Sequence, residues 1–313
     1  MPLLLPSIIA NAGRVQQPFV LLQSSLAQSC IPVLRSIISE SKTRVILFTF
    51  LHHPSFLLDP QKCAHVQVLD LTDRVPGYSS GAECRQTVLR MLRESTNGPV
   101  TVVVDSADTL TSDLGSLSTT LLFLSEILSI IHERGSRSRL VLHMLSSCPL
   151  RDIVSQTRFS ASLTSLTSYP PVLLEHVAAE YMTPPPPLSP PEKFWGVFMP
   201  IAQRHHEAEK LVFSEGARGC GEEEFAVEVL IRGANDLGRR RGIERLLEGW
   251  STLSASPCEL SELQSFKSLW SRRPAQQRAP DPTQSVPFNL NLTPAQQQSR
   301  SKVPLPYLPE RQR

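Results

Sequence analysis

Two rhythms of apolar positions run through the first half of the chain. Residues 18–22 (Pro-Phe-Val-Leu-Leu) form a short apolar run that ends in polar Gln23, Ser24 and Ser25, the pattern of a buried strand entering a loop. Ile31, Leu34 and Ile38, flanked by Val33 and Ile37, then recur at helical spacing. Ser29 is placed to cap that helix, and Pro32 fits the first turn, where no N–H is needed. Residues 45–50, 66–71, 100–104 and 140–145 repeat the apolar-run pattern. Between them Val88, Leu89, Met91 and Leu92 predict a short amphipathic helix. Leu121, Leu124, Ile127, Leu128 and Ile131 predict a longer one, with Gly135 placed to end it. Apolar strands alternating with helices predict right-handed βαβ units and a mainly parallel sheet covered on both faces.

The second half reads differently. Strand-like segments are expected at 172–178, 194–198 and 225–232; in the last, Phe225, Val227, Val229 and Ile231 alternate with Ala226, Glu228, Leu230 and Arg232. Residues 183–191 hold six prolines, which predicts an exposed polyproline-type loop, either a stiff spacer or a docking site for a proline-reading domain. Residues 242–250 fit a helix face and strand alternation equally well. After Pro257, Leu260, Leu263, Phe266 and Trp270 predict a short helix, and the polar, proline-containing residues 272–284 a flexible linker. Three regions follow: an N-terminal extension at 1–15, an α/β domain at 16–250, and a helix, linker and tail at 251–313.

At 313 residues and 41% hydrophobic, the chain is long enough for one large core plus an appendage. A net charge of +2 excludes a globally basic nucleic-acid-binding surface, so any basic site must be local. The six cysteines are scattered, with no C-x-x-C pair and no cluster at zinc-ligand spacing, as expected of reduced thiols in the cytoplasm or nucleus. Residues 1–10 are apolar but lack a basic segment and carry Pro2 and Pro6, which argues against a secretory signal. The most apolar helical run, 121–131, contains Glu126 and is too short to span a bilayer.

A parallel α/β domain invites a search for a nucleotide site in the first strand-to-helix loop, where glycines let backbone amides cradle phosphates. That loop, residues 23–30, has no glycine, no lysine and no Gly-Lys-Ser/Thr ending, so both cradle and neutralising charge are missing. Asp105, following four valines and one threonine, stands where a Walker B aspartate would hold magnesium; an aspartate at the end of a buried strand often just caps the following turn. Asp113 is expected to cap the next helix. The adjacent pairs His52-His53 and His205-His206 point to different sides of their elements and suit no metal. No nucleophile–base constellation is assignable by spacing, so no catalytic residue, cofactor or metal is expected. Arg239, Arg240 and Arg241, in a loop rich in Gly and Asn, could contact phosphates of a nucleic-acid backbone or form a solvated turn beside Glu244.

Residues 287–307, from Pro-Phe-Asn-Leu-Asn-Leu-Thr-Pro to Val-Pro-Leu-Pro-Tyr, resemble the signature near the end of the fifth subunit of the Elongator complex, particularly in fungal members. Residues 102–106 (Val-Val-Val-Asp-Ser) are similar to that family's degenerate Walker B strand. Residues 238–250 are similar to its Gly-Arg-Arg-Arg hairpin, and 258–270 to its short helix before the linker. The resemblance implies a RecA-like three-layer α/β domain with a central, mainly parallel sheet, no P-loop and an extended C-terminal tail. It implies a non-enzymatic structural subunit, cytoplasmic and nuclear, that joins the fourth and sixth Elongator subunits in a hetero-hexameric ring. The ring serves tRNA wobble-uridine modification to 5-methoxycarbonylmethyl and 5-carbamoylmethyl uridine, with the chemistry in a separate catalytic subunit. The resemblance resolves 242–250 towards strand and sets Arg239 to Arg241 at an exposed tip. The family usually continues into an acidic tail, whereas this sequence stops at Pro309-Glu310-Arg311-Gln312-Arg313. Phe288, Leu290 and Leu292 alternate as an edge strand does and could dock on a partner or fold back on their own sheet. Two other readings stay open: an ATPase with an unorthodox phosphate loop, and an α/β adaptor that uses 183–191.

Overall fold

The structure, a computed structural model, describes residues 3–12, 17–59, 61–75, 81–94, 98–135, 137–214, 223–233 and 242–271, together with Gln298. Arg239, Arg240, Arg241, the expected linker and the tail residues Phe288, Leu290 and Leu292 lie outside the described residues. The elements of the first half are α1 (Leu5–Ile9), β1 (Phe19–Ser24), α2 (Ile31–Glu40), β2 (Arg44–Thr49), α3 (Pro54–Leu57), β3 (Val66–Asp70), α4 (Gly81–Glu94), β4 (Val100–Val104), α5 (Ala107–Leu114), α6 (Leu117–Glu133) and β5 (Arg139–Leu145). Then follow α7 (Leu150–Val154), β6 (Leu163–Tyr169), α8 (Pro171–Glu180), α9 (Pro191–Ala202), α10 (His205–Phe213), β7 (Glu224–Gly233), β8 (Gly242–Ser251), β9 (Ser256–Cys258) and α11 (Lys267–Ser271).

Among the described residues the strands form one sheet in the order β3-β2-β4-β5-β1-β6-β7-β8-β9. Pairing is parallel from β3 to β6 and antiparallel from β6 to β9. The expected three-layer α/β architecture with a central, mainly parallel sheet is therefore present. Its cause is visible strand by strand. Phe19 and Leu21 of β1 face a core with Ile46, Phe48, Val102, Val104, Leu140 and Leu142, packed on α4, α5 and α6. Val20 and Leu22, one residue out of phase, join Val45, Leu47, Val103, Val141 and Trp250 in a second core on the other face, under α1, α2 and α3. A period of two distributes each apolar run between both faces, so both need helices. A third core gathers Leu173, Leu174, Val177, Phe194, Phe198 and Phe266 from α8, α9 and the chain after β9.

Several expectations need correction. Residues 172–178 are helix α8, because Leu173, Leu174 and Val177 share one buried helical face and Pro171 starts it where the missing N–H costs nothing. Residues 194–198 lie in α9: Phe194, Phe198 and Ile201 recur at four and three residues and are buried, behind Pro191 at the helix start. The proline segment between them is not an exposed loop throughout, since Thr183, Pro185 and Ser189 are buried. Residues 260–270 form two 3-10 turns, Leu260–Glu262 and Gln264–Phe266, before the short α11. Asp113 does not cap a helix start. Ser106 caps α5, its Oγ accepting from the Thr109 N–H at 3.2 Å, and Asp113 sits in the last turn, where burial raises its carboxyl pKa. β6 escapes the periodicity because Thr164, Ser165 and Ser168 are buried polar residues rather than apolar ones.

The first residues are no extension, and the core does not end at 250. One compact unit runs to Ser271. Leu5, Ile8 and Ile9 of α1 are buried in the second core. Two buried charged side chains clamp this helix at its ends. Glu248 of β8 accepts from the Leu4 and Leu5 N–H groups at 2.6 and 2.9 Å, and Arg139 of β5 donates to the Ile8 and Ile9 carbonyls at 2.5 and 2.9 Å. Each charge meets the helix end of opposite partial charge. Burial lowers the Arg139 pKa to about 10 and raises that of Glu248, whose two amide partners act against the rise. Arg139→Ala strips both terminal carbonyls of their donor, and a loss of about 3 kcal/mol is expected in urea unfolding at neutral pH. A change below ~0.5 kcal/mol would show the clamp to be incidental.

Candidate functional site

The loop after β1 is built around its own hydroxyls. The Ser25 N–H donates to the Gln28 carbonyl at 2.9 Å, and the Gln28 N–H returns to Ser25 Oγ at 3.0 Å. The Cys30 N–H donates to Ser24 Oγ at 2.8 Å and the Ile31 N–H to Ser29 Oγ at 3.2 Å. Four amides in and just after the loop that could face a phosphate are thus bonded within this stretch of chain, and three serines serve where a phosphate-binding loop has glycines and lysine. The hydroxyl of Ser29 receives the amide of the first residue of α2, but Ser29 is not the expected cap: Cys30 holds the N-cap position and no side chain caps this helix.

Asp105, fully buried at the end of β4, holds the chain after β2. Its Oδ1 accepts from the Phe50 N–H at 2.7 Å, and its Oδ2 from Leu51 at 3.1 Å and His52 at 2.7 Å. The carboxylate thus caps not the turn that follows its own strand, as expected, but the turn after the neighbouring β2. Its backbone carbonyl begins a second chain of bonds: His143 Nδ1 lies 2.6 Å from Asp105 O, and His143 Nε2 lies 2.7 Å from Ser24 Oγ. A carbonyl only accepts, so Nδ1 carries the proton; Nε2 then accepts from the Ser24 hydroxyl, whose oxygen in turn receives the Cys30 N–H. Burial holds the His143 pKa below its ordinary 6.5. Asp108, at the start of α5, accepts from the Leu145 N–H at 2.9 Å. The ends of β1, β4 and β5 are tied together by these groups, and the arrangement resembles a serine–histidine pair in composition only, because Ser24 and His143 are buried.

Beside this edge lies a cleft of roughly 390 Å³ over β6, β7 and β8, opening between α7 and the helices α9 and α10. Thr167 of β6 stands opposite Glu228 of β7, and Leu230 opposite Arg245 of β8, so that Tyr169, Glu228 and Arg245 lie on one face in a diagonal row. The Tyr169 hydroxyl donates to Glu228 Oε2 at 2.8 Å, and Arg245 Nε is 2.9 Å from Glu228 Oε1. The Arg245 guanidinium stacks over the Trp195 ring, 5.2 Å from its centroid. Burial raises the Glu228 pKa against the lowering effect of Tyr169 and Arg245, and burial beside that carboxylate raises the Tyr169 phenol well above its usual value. Sequence reasoning passed over this row. Its signal was present in the alternation of residues 225–232, which put a carboxylate on the supposed solvent face, but nothing in the sequence pairs Glu228 with Arg245 or Tyr169.

Asp105→Ala orphans three backbone amides, and the expected outcome is a stability loss of about 3 to 4 kcal/mol by denaturant unfolding. Unchanged stability with loss of a magnesium-dependent activity would restore the metal-binding reading. His143 gives a pH signature. The unfolded chain takes up a proton near pH 6.5 that the folded chain refuses, so its contribution is complete above that value and declines as pH falls below it. Urea midpoints measured from about pH 7.5 to about pH 5.5 should fall, and His143→Gln should flatten the slope. An identical slope in the variant would assign the effect elsewhere.

No family model matches the chain, and no curated protein is a significant match. Among solved structures, a KaiC-like protein of the hyperthermophilic archaeon Pyrococcus horikoshii is similar over 80% of this chain and 93% of its own, with 11% identity and a TM-score of 0.45.

Proposed function

We propose that the chain is a non-catalytic, RecA-like subunit of a larger ring, of the kind that the fourth, fifth and sixth Elongator subunits form, and that it acts in tRNA wobble-uridine modification. One observation carries the non-catalytic part: four amides in and after the β1 loop are spent on the chain's own serines and the Gln28 carbonyl, in a loop without glycine or lysine. Such a loop lacks the glycine cradle and the charge that a triphosphate needs. The capture of Asp105 by the amides of residues 50–52 supports the same reading. The Elongator part rests on the tail signature of residues 287–307 and on the arginine run at 239–241. In this reading the partners are the fourth and sixth subunits and, through them, the catalytic subcomplex. The protein works in cytoplasm and nucleus.

Co-expression with the fourth and sixth Elongator subunits, followed by size-exclusion chromatography with light scattering, is expected to give an equimolar ring. A chain that stays monomeric beside an otherwise soluble pair would overturn the proposal. Within the ring, Arg239→Ala, Arg240→Ala and Arg241→Ala combined should weaken tRNA binding and lower the slope of log affinity against log salt by about 2 to 3 units. A slope equal to that of the parent ring would remove these arginines from the RNA surface.

A further inference from the structure

The cleft over β6, β7 and β8 has a feature that its hydrogen bonds leave unused. Arg245 is fixed on two sides, by the Glu228 carboxylate at Nε and by the Trp195 ring on its face. Nε is buried and, despite its 2.9 Å approach to Glu228 Oε1, has no hydrogen-bond partner among the described residues, and no hydrogen bond from the guanidinium to any of them is formed, although the side chain is only 31% exposed and lines the cleft. Glu228, in turn, is almost fully buried, and both its oxygens are engaged, by Arg245 and by the Tyr169 hydroxyl. The carboxylate therefore orients the guanidinium, with one partner on each of its oxygens. A guanidinium held flat, with its two-pronged end open, is preorganised for a planar or tetrahedral oxyanion.

The surroundings favour the same class of ligand. Thr167, opposite Glu228 in the sheet, and Arg151 also line the cleft, while Leu173, Met199 and Leu230 supply an apolar wall. Arg151 is bonded to the exposed Asp152 through Nε and Nη2, and Arg232, the third cation of the lining, to the Ser155 and Ser160 carbonyls, so both are already engaged. A volume near 390 Å³ lies at the small end of small-molecule sites and is too small to receive a folded partner.

We infer that this cleft is a binding site for a small organic anion, in which Arg245 receives a carboxylate or phosphate head and the apolar wall a compact body. The cleft borders the β1 loop, whose Gln23 and Ser25 line one side of it, and the inference does not depend on the ring reading. Glu228 and Trp195 act as positioning residues for Arg245.

The test is calorimetric titration of the full chain with three probes at constant ionic strength: phenyl phosphate, benzoate and phenol. Binding of phenyl phosphate or benzoate with no binding of phenol supports the site, and the stronger of the two anions identifies the head group. Arg245→Lys keeps the charge near Glu228 but loses the fork, and should weaken the bound anion by at least about tenfold, roughly 1.4 kcal/mol. Leu230→Trp, opposite Arg245 in the sheet, fills the cleft beside the ion pair and should abolish binding while the unfolding midpoint stays within a few degrees of the parent. Absence of binding by both anions, equal binding of phenol, or full affinity in Leu230→Trp would each overturn the inference.

Discussion

A buried carboxylate at the end of a central strand must find donors, and the solution to that demand organises the carboxyl edge of this sheet. Asp105 takes three amides from the turn after β2, and through its backbone carbonyl it fixes the tautomer of His143, which holds Ser24. Ser24 then receives the amide that opens α2. Each member satisfies the next, and a buried network of this type is worth keeping only when complete, because any orphan costs more than the average bond gains. The position of β1, β4 and β5 relative to one another, and the course of both loops that leave β1 and β2, follow from this chain of contacts.

The same chemistry bears on function. In a parallel α/β sheet the carboxyl edge is where ligands are usually received, by amides left open for them. Here Ser24, Ser25, Ser29 and the Gln28 carbonyl close four of those amides internally, and these donors go into the rigidity of the loop. The cleft beside β6 is a different kind of surface, because its cation is held in place yet not consumed.

The sequence was most legible where one physical rule dominates. The strands at 19–24, 44–49, 100–104 and 139–145 are buried on both faces, so continuous apolar runs expose them directly, whereas the edge strand at 66–70 is only half-buried. The strand at 224–233 announced itself by alternation. Residues 172–178 and 194–198 misled because short apolar runs fit either period, and only packing on the third core selects the helix. β6 was hidden for the opposite reason: its serines and threonines look like loop residues until Gln23 Nε2 is seen donating to Ser165 Oγ and the Ser168 hydroxyl donating to the Gln28 carbonyl. Pairings such as Tyr169 with Glu228, or Arg139 with the end of α1, join residues far apart in the chain and leave no local trace.

The clamp on α1 sets a timetable. Residues 4 and 5 cannot find their acceptor until residue 248 is in place, a separation of 244 positions for the Leu4 contact, and until then Arg139 has only part of its setting. On a ribosome α1 emerges before the sheet yet would be among the last elements to dock, after nearly the whole sheet has been translated. Contacts of such length slow folding, since loop closure precedes any reward. The chain thus has a built-in check on completeness: a truncated product lacking β8 leaves Leu5, Ile8 and Ile9 without their full seat, and its apolar first helix stands out as a mark of an unfinished molecule.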